Sequence, residues 1–387
     1  MRRSVFCAVA AAFCLYSSLS LAARSGWSIQ HTPNPTGAHS SGLFSVSCLS
    51  GSNCLAVGSY QGGSLKTKAL SARWNGHTWS IMPAQNPAGA TFVSLSGVSC
   101  ASTHACMAVG TYAATGGKLK PLAERWNGTK WTIVKTPTPA SSTHTELDGV
   151  SCPSAHVCVA VGFQAIGGPY RTLVERWNGH RWSTQPTRRP PGATNMQLTS
   201  ISCPSPRACT AVGYYESASP VPATLIEHWA GHGWRIQPSP NHHGGGNNYL
   251  AGVSCASLSA CTAVGKYQNG PTKAVVVERW NGHSWSLEHA PNPSGALDVT
   301  LDAVFCVRAG VCTAVGYYEN GAGSTLTLGE HSAGTKWSLQ QPANPRHATL
   351  NELNGVACPS ASTCTAVGDS ALNVASTEKT LAERWTR

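Results

Sequence analysis

Residues 95–110 read Leu-Ser-Gly-Val-Ser-Cys-Ala-Ser-Thr-His-Ala-Cys-Met-Ala-Val-Gly, and residues 122–131 read Leu-Ala-Glu-Arg-Trp-Asn-Gly-Thr-Lys-Trp. Small and β-branched residues alternate on both sides of the two cysteines, which predicts a strand over Leu95–Cys100 and a second over Cys106–Tyr112. With Cys100 facing Cys106, an unbroken antiparallel register sets Val98 opposite Ala108 and Ser96 opposite Gly110. A third strand is predicted over Leu122–Trp126 and a fourth from Trp131. Asn127-Gly128 between apolar residues is a strong hairpin signal, because both tolerate positive φ. A turn of two residues or of four leaves Trp126 and Trp131 on one face.

The same sentence recurs along the chain. Cys48 and Cys54, Cys100 and Cys106, Cys152 and Cys158, Cys203 and Cys209, Cys255 and Cys261, Cys306 and Cys312, and Cys358 and Cys364 form pairs with one internal spacing, each in a seven-fold pattern. The apolar residue five before the first cysteine is always leucine: Leu43, Leu95, Leu147, Leu198, Leu250, Leu301 and Leu353. Repeats of about 50 residues holding four strands each specify a β-propeller, since one such sheet is apolar on both faces and needs neighbours to cover it. Gly26-Trp27-Ser28 matches the start of a fourth strand, and Glu383-Arg384-Trp385 ends a third. The expectation is an all-β, seven-bladed β-propeller with four antiparallel strands per blade and a 3+1 closure, the N-terminal strand 26–33 completing the last blade.

Composition agrees. Charged residues are 11 % of the chain, with 39 glycines and 24 prolines, which disfavours coiled coils and helix-rich enzymes. The formal charge of +11 is spread out, with only Arg188-Arg189 adjacent in the mature chain, so a nucleic-acid partner is not expected. Residues 1–23 read as a signal peptide: Arg2-Arg3, an apolar run from Val5 to Tyr16, and Leu21-Ala22-Ala23. The mature domain is then 24–387, secreted or at the cell surface, without a membrane span, and monomeric. In an oxidising compartment, cysteines six apart on a hairpin pair as disulfides, so Cys48 is expected to bond Cys54, and likewise in each of the other six pairs. Zinc sites need other spacings, so no metal and no cofactor is expected.

On these repeats, the chain resembles the secreted bacterial seven-bladed propellers of the kelch and Asp-box superfamily across 26–387. It departs from kelch blades in having one glycine, Gly58, after the second strand. It departs from Asp-boxes in Trp74-Asn75-Gly76-His77-Thr78-Trp79, which lacks the acid. Relatives of this kind include sugar oxidases, sialidases and binding scaffolds, so the resemblance implies a fold and not an activity.

Recurrent residues point to packing. Glu124, Glu175, Glu227, Glu278, Glu330 and Glu383 are read as a repeated ion pair or hydrogen bond near the rim. Tyr60, Tyr112, Tyr215, Tyr267 and Tyr318 are read as rings wedged between blades. Function is sought where copies differ, at the channel end of the first strand of each copy. Six residues before the first cysteine stand Gly42, Ser94, Glu146, Gln197, Tyr249, Thr300 and Glu352; four before it stand Phe44, Ser96, Asp148, Thr199, Ala251, Asp302 and Asn354.

From these, Glu146, Asp148, Gln197, Tyr249, Asp302, Glu352 and Asn354 are the expected ligand-binding residues, with Asp148 and Asp302 roughly across the channel. The loop Asn241–Tyr249, with His242-His243, is a second candidate. No nucleophile elbow, His-Glu-x-x-His or phosphate loop occurs, and no residue is assigned a catalytic role. The expected function is non-catalytic recognition of carbohydrate or an extracellular protein on the loop-rich channel face. The alternative is a polysaccharide hydrolase or lyase working through channel carboxylates.

Overall fold

A computed structural model describes residues 26–387 apart from 64–65, 140, 219–220, 243–245 and 374–375. The leader reading of 1–23 and the His243–Gly245 segment therefore lie outside the described residues.

Every element among the described residues is a strand. In chain order these are β1 (Gly26–Gln30), β2 (Ser40–Ser50), β3 (Asn53–Gln61), β4 (Thr67–Trp74), β5 (Trp79–Met82), β6 (Ala90–Ser102), β7 (Ala105–Ala114), β8 (Leu119–Trp126) and β9 (Trp131–Ile133). Next come β10 (Ser142–Ser154), β11 (Val157–Ile166), β12 (Tyr170–Trp177), β13 (Trp182–Gln185), β14 (Asn195–Ser205), β15 (Ala208–Glu216), β16 (Ala223–Trp229) and β17 (Trp234–Gln237). The rest are β18 (Asn248–Ser257), β19 (Ala260–Asn269), β20 (Thr272–Trp280), β21 (Trp285–Glu288), β22 (Asp298–Arg308), β23 (Val311–Glu319), β24 (Thr325–Ala333), β25 (Lys336–Gln340), β26 (Leu350–Ser360), β27 (Thr363–Ala371) and β28 (Lys379–Thr386).

They pair into antiparallel four-stranded sheets, β2-β3-β4-β5 being the pattern. One larger sheet consists of β6–β9 and β10–β13, joined by a single parallel bridge between His144 and Leu119. The sheet β26-β27-β28 takes β1 as its fourth member, with Trp27 opposite Trp385. β1 stops at Gln30, short of the expected 33. Beyond it, side chains take over: Thr32 Oγ1 donates to the Thr380 carbonyl at 2.8 Å, and Asn34 Oδ1 accepts the Thr380 N–H at 3.0 Å.

The core lies between sheets. Leu55 and Val57 of β3 share an apolar cluster with Leu95, Leu122 and Trp131 of the next copy. Ala357, Val367 and Ala382 of the last copy share one with Leu43 and Trp74 of the first. The invariant leucines are all at most 1 % exposed, each contributing roughly 1.5–3 kcal/mol on burial. The tyrosines of the repeat lie half-buried against these clusters, as the packing reading expected.

Local readings hold in detail. Each cysteine pair is a disulfide: Cys48 bonds to Cys54, Cys100 to Cys106, Cys152 to Cys158 and Cys203 to Cys209. Cys255 bonds to Cys261, Cys306 to Cys312 and Cys358 to Cys364. The second cysteines (Cys54, Cys106, Cys158, Cys209, Cys261, Cys312 and Cys364) are at most 4 % exposed and belong to the apolar clusters. Their sulfurs are thus packing atoms and not a ligand-facing surface. Trp126 and Trp131 stand opposite each other with ring centroids 5.6 Å apart. The turn between them holds four residues, closed by Asn127 Oδ1 accepting the N–H groups of Thr129 and Lys130 at 3.0 Å.

One register expectation fails. Val98 does face Ala108, but Gly110 faces Leu95, and Ser96 is an extra residue in a β-bulge. The same shift occurs after Leu43, Leu147, Leu198, Leu250, Leu301 and Leu353. The bulge brings the backbones so close that only glycine fits opposite: a Cβ on Gly110 would lie 2.0 Å from the Ser94 carbonyl oxygen, and the glycine of every Ala-Val-Gly would meet the same obstacle.

Candidate functional site

The bulge decides which residues face the middle of the molecule. The extra residue and the two after it, on each of β2, β6, β10, β14, β18, β22 and β26, line one central cavity of about 190 Å³. Small residues there let neighbouring inner strands approach: a Cβ on Gly149 would lie 3.1 Å from Ser200 Cα, and one on Gly355 3.0 Å from Ser45 Cα. Serines next to the cysteines bind the strands laterally. Ser47, Ser99, Ser151, Ser202 and Ser254 each accept the N–H of the next copy's first cysteine at 2.9–3.1 Å. The bulge residues Thr199 and Asn354 donate to the next leucine carbonyl, at 2.9 Å to Leu250 and 3.3 Å to Leu43.

Asp148 and Asp302 occupy the same bulge position and project into this cavity with Thr199 and Asn354. Burial, then the Glu146 charge, pushes the Asp148 carboxyl up to about 8. Asp302 is pushed up to about 7 by burial and then Glu352, against the opposing effects of Lys266 and Thr300. Asp302 Oδ1 accepts the Thr300 hydroxyl at 3.4 Å, and its Oδ2 is buried without a hydrogen-bond partner. The two aspartates thus belong to separate electrostatic neighbourhoods.

Above the cavity, the residues six before the cysteine pair with the residue after each Ala-Val-Gly. Those partners, Phe163, Tyr214, Lys266, Tyr317 and Asp369, are absent from the sequence reading, although each is a variable position beside an invariant glycine. Glu146 faces Phe163, Gln197 faces Tyr214, Tyr249 faces Lys266, Thr300 faces Tyr317, and Glu352 faces Asp369.

On one side the wall is aromatic. His144 lies 2.5 Å from Glu146 and stacks on Phe163 at 5.3 Å, while Tyr170 meets Phe163 edge-on at 5.0 Å. Tyr214 donates to Gln197 Oε1 at 2.7 Å and meets the Tyr249 ring at 4.8 Å. The other side is acidic. Asp369 accepts Asn354 Nδ2 at 3.1 Å and is pushed up to about 7 by burial, then Glu352 and Glu378. Glu352 is raised by burial and by Glu378. The Tyr317 hydroxyl is raised by burial, then by Asp302, Glu352 and Asp298.

All seven expected ligand-binding residues are half-buried around this opening. In the second candidate loop, His242 stacks on Tyr267 at 3.7 Å. Among the described residues, no group of three or more His, Cys, Asp or Glu side chains could hold a metal ion.

Of the ion pair or hydrogen bond expected for the repeated glutamates, several make the hydrogen bond, in the interior and not in an ion pair. They are fully buried between copies. Glu124 Oε2 accepts the N–H of Gln85, six residues after Trp79 in the preceding copy, and Glu383 accepts that of Ala343. Where that position is proline the bond is missing: Glu278 turns to the Ser239 hydroxyl, while Glu175 and Glu330, behind Pro137 and Pro291, have no partner. Burial raises Glu124 to about 7 and Glu175 to about 8.

No family model matches the chain, and no curated protein matches it. Among solved structures it is similar to a protein of unknown function from Dyadobacter fermentans, at 9 % identity and a TM-score of 0.52, covering 94 % of this chain and 99 % of that one. It is also similar to Trypanosoma rangeli sialidase, at 8 % identity and a TM-score of 0.49, covering 90 % of this chain and 54 % of that one. A third is AofleA from Arthrobotrys oligospora, at 13 % identity and a TM-score of 0.45, covering 83 % and 91 %. At such identities the likeness concerns the fold alone: all-β, with propeller-like four-stranded sheets. No helix among the described residues is long and apolar enough to cross a membrane.

Proposed function

We propose that the chain is a seven-bladed β-propeller, closed by β1 joining the last sheet, that recognises carbohydrate at the mouth of its central channel without catalysing a reaction. Residues 24–387 form the secreted or cell-surface domain once 1–23 are removed, in keeping with seven disulfides. Glu146, Asp148, Gln197, Tyr249, Asp302, Glu352 and Asn354 are its contact residues.

The observation that carries this reading is a division of labour. Residues common to the copies are buried in packing, whereas residues that differ gather round one opening. They supply what a polyhydroxylated ligand uses: amides, phenols, aromatic faces and carboxyls able to donate as well as accept. A glycan array on the oxidised protein tests it. Binding that disappears in the double variant carrying Asp148→Ala and Asp302→Ala is the expected result, and a blank array refutes the reading.

Hydrolysis is the competing reading, favoured by one observation: Glu352 and Asp369 stand directly opposite each other near Asp302. Release of new reducing ends from a bound polysaccharide decides for it.

A further inference from the structure

The sixteen acidic residues are not spread evenly. Six are the buried glutamates of the third strand of a copy, and of the other ten only Glu288 lies away from the mouth end. This concentration sits in a chain whose formal charge is +11. It is densest across β22, β26 and β27, where Asp302, Glu352 and Asp369 adjoin Asp298 and Glu378.

Two like charges directly opposite on paired strands destabilise a sheet, and Glu352 with Asp369 is the one such pair among the seven equivalent positions. The available cations do not neutralise it. Lys273 is paired with Asp298. Lys266 opposes the acids electrostatically, yet forms no ion pair with Asp302 or Glu352. Glu378 Oε2 is held by the Ser40 hydroxyl at 2.6 Å, and Asn354 serves one oxygen of Asp369. Independently of this crowding, Asp302 Oδ2 is a buried acceptor at the cavity wall with no donor. A buried acceptor left unmatched is costly, and a donor that carries positive charge matches it best.

We propose that the Asp302–Glu352–Asp369 side of the mouth receives a protonated primary amine, and that the carbohydrate recognised is an amino sugar with its amine free. This rests on the carbohydrate reading above and names its ligand class. Tyr317, opposite Thr300 on the neighbouring strand, borders the same carboxyls and presents a ring edge and hydroxyl to the sugar. Without ligand, burial and mutual repulsion keep Asp302 and Asp369 partly protonated near neutral pH. An ammonium group reverses that balance, so binding expels protons into solution and weakens as the pH falls below about 6, where the acids hold their protons.

Calorimetry on the full oxidised chain at pH 7 tests the proposal with three probes: a fully deacetylated chitotriose, its N-acetylated counterpart and a trilysine peptide. The deacetylated sugar is expected to bind at least about tenfold more tightly than the acetylated one. Its heat should vary with the ionisation enthalpy of the buffer, which reports proton release. Asp302→Asn and Glu352→Gln, both isosteric, should each shrink that preference to about threefold or less.

Equal affinity for the two sugars overturns the amine site and leaves carbohydrate recognition standing; no binding of either sugar overturns the amino-sugar assignment, while carbohydrate recognition itself falls only with a blank glycan array. Tighter binding of trilysine overturns the sugar assignment. A preference that survives both substitutions places the amine elsewhere and also overturns the proposal.

Discussion

Glu175 offers the sharpest test of how the copies are joined. Its carboxyl is fully buried, has no hydrogen-bond partner and lies behind a connection whose matching residue, Pro137, has no N–H to give. Burial raises it from 4.5 to about 8. The folded state therefore keeps a proton that the unfolded chain releases as pH climbs through 4.5. Stability associated with this group is complete below 4.5 and falls progressively as pH rises towards 8.

At about 1.4 kcal/mol per pKa unit, the ceiling on that loss is about 5 kcal/mol. A third of it, roughly 1.5 kcal/mol, is readable in a denaturant titration. Glu175→Gln keeps the shape and cannot ionise. Guanidinium unfolding at pH 5, 6, 7 and 8, with disulfides intact, should show the wild-type chain losing stability as pH rises. The variant should lose less and overtake it by pH 8. Glu124→Gln, whose carboxylate already accepts the Gln85 N–H and is raised only to about 7, should change the slope less. Parallel curves for Glu175→Gln and wild type would refute the claim that a buried, unpartnered acid sits at this junction.

Further outcomes follow from the packing. Gly110→Ala must push a Cβ against the Ser94 carbonyl and should abolish secretion of folded protein, whereas Gly97→Ser should be tolerated, because Ser45 and Ser200 occupy the same place in other copies; yield and thermal melting distinguish them. Leu147→Ala, at a fully buried side chain, should cost about 2–5 kcal/mol in denaturant unfolding. Reducing the disulfides should lower the unfolding midpoint in steps, since each short loop contributes about 2 kcal/mol by chain entropy; an unchanged midpoint would count against it.

Much of the fold could be read from spacing because the forces behind it are local. Cysteines six apart meet across a hairpin, Asn127-Gly128 sets its own turn, and a tryptophan on either side must then share a face. The residues around the opening were half legible. Positions that vary while their neighbours repeat stood out on the first strand of each copy, which is how Asp148, Gln197 and Asp302 were singled out. Their cross-strand partners Tyr214, Lys266, Tyr317 and Asp369 were missed, because only the observed register pairs them with those positions. The glutamates read as an ion pair or hydrogen bond near the rim, with arginine or histidine following all six; alternation along a strand sends adjacent residues to opposite faces, which rules out the ion pair and leaves the hydrogen bond.

The amino-acid sequence alone determined the period, the four strands of each copy, the disulfide pairing and the residues spared from packing, since each depends on contacts within about fifty residues. Tertiary structure alone decided the bulge, the cavity and the meeting of Asp302, Glu352 and Asp369. At the bulge a glycine leaves room for a carbonyl where a Cβ would not fit, and the acids meet because β22 of one copy packs beside the β26–β27 hairpin of the next at one opening.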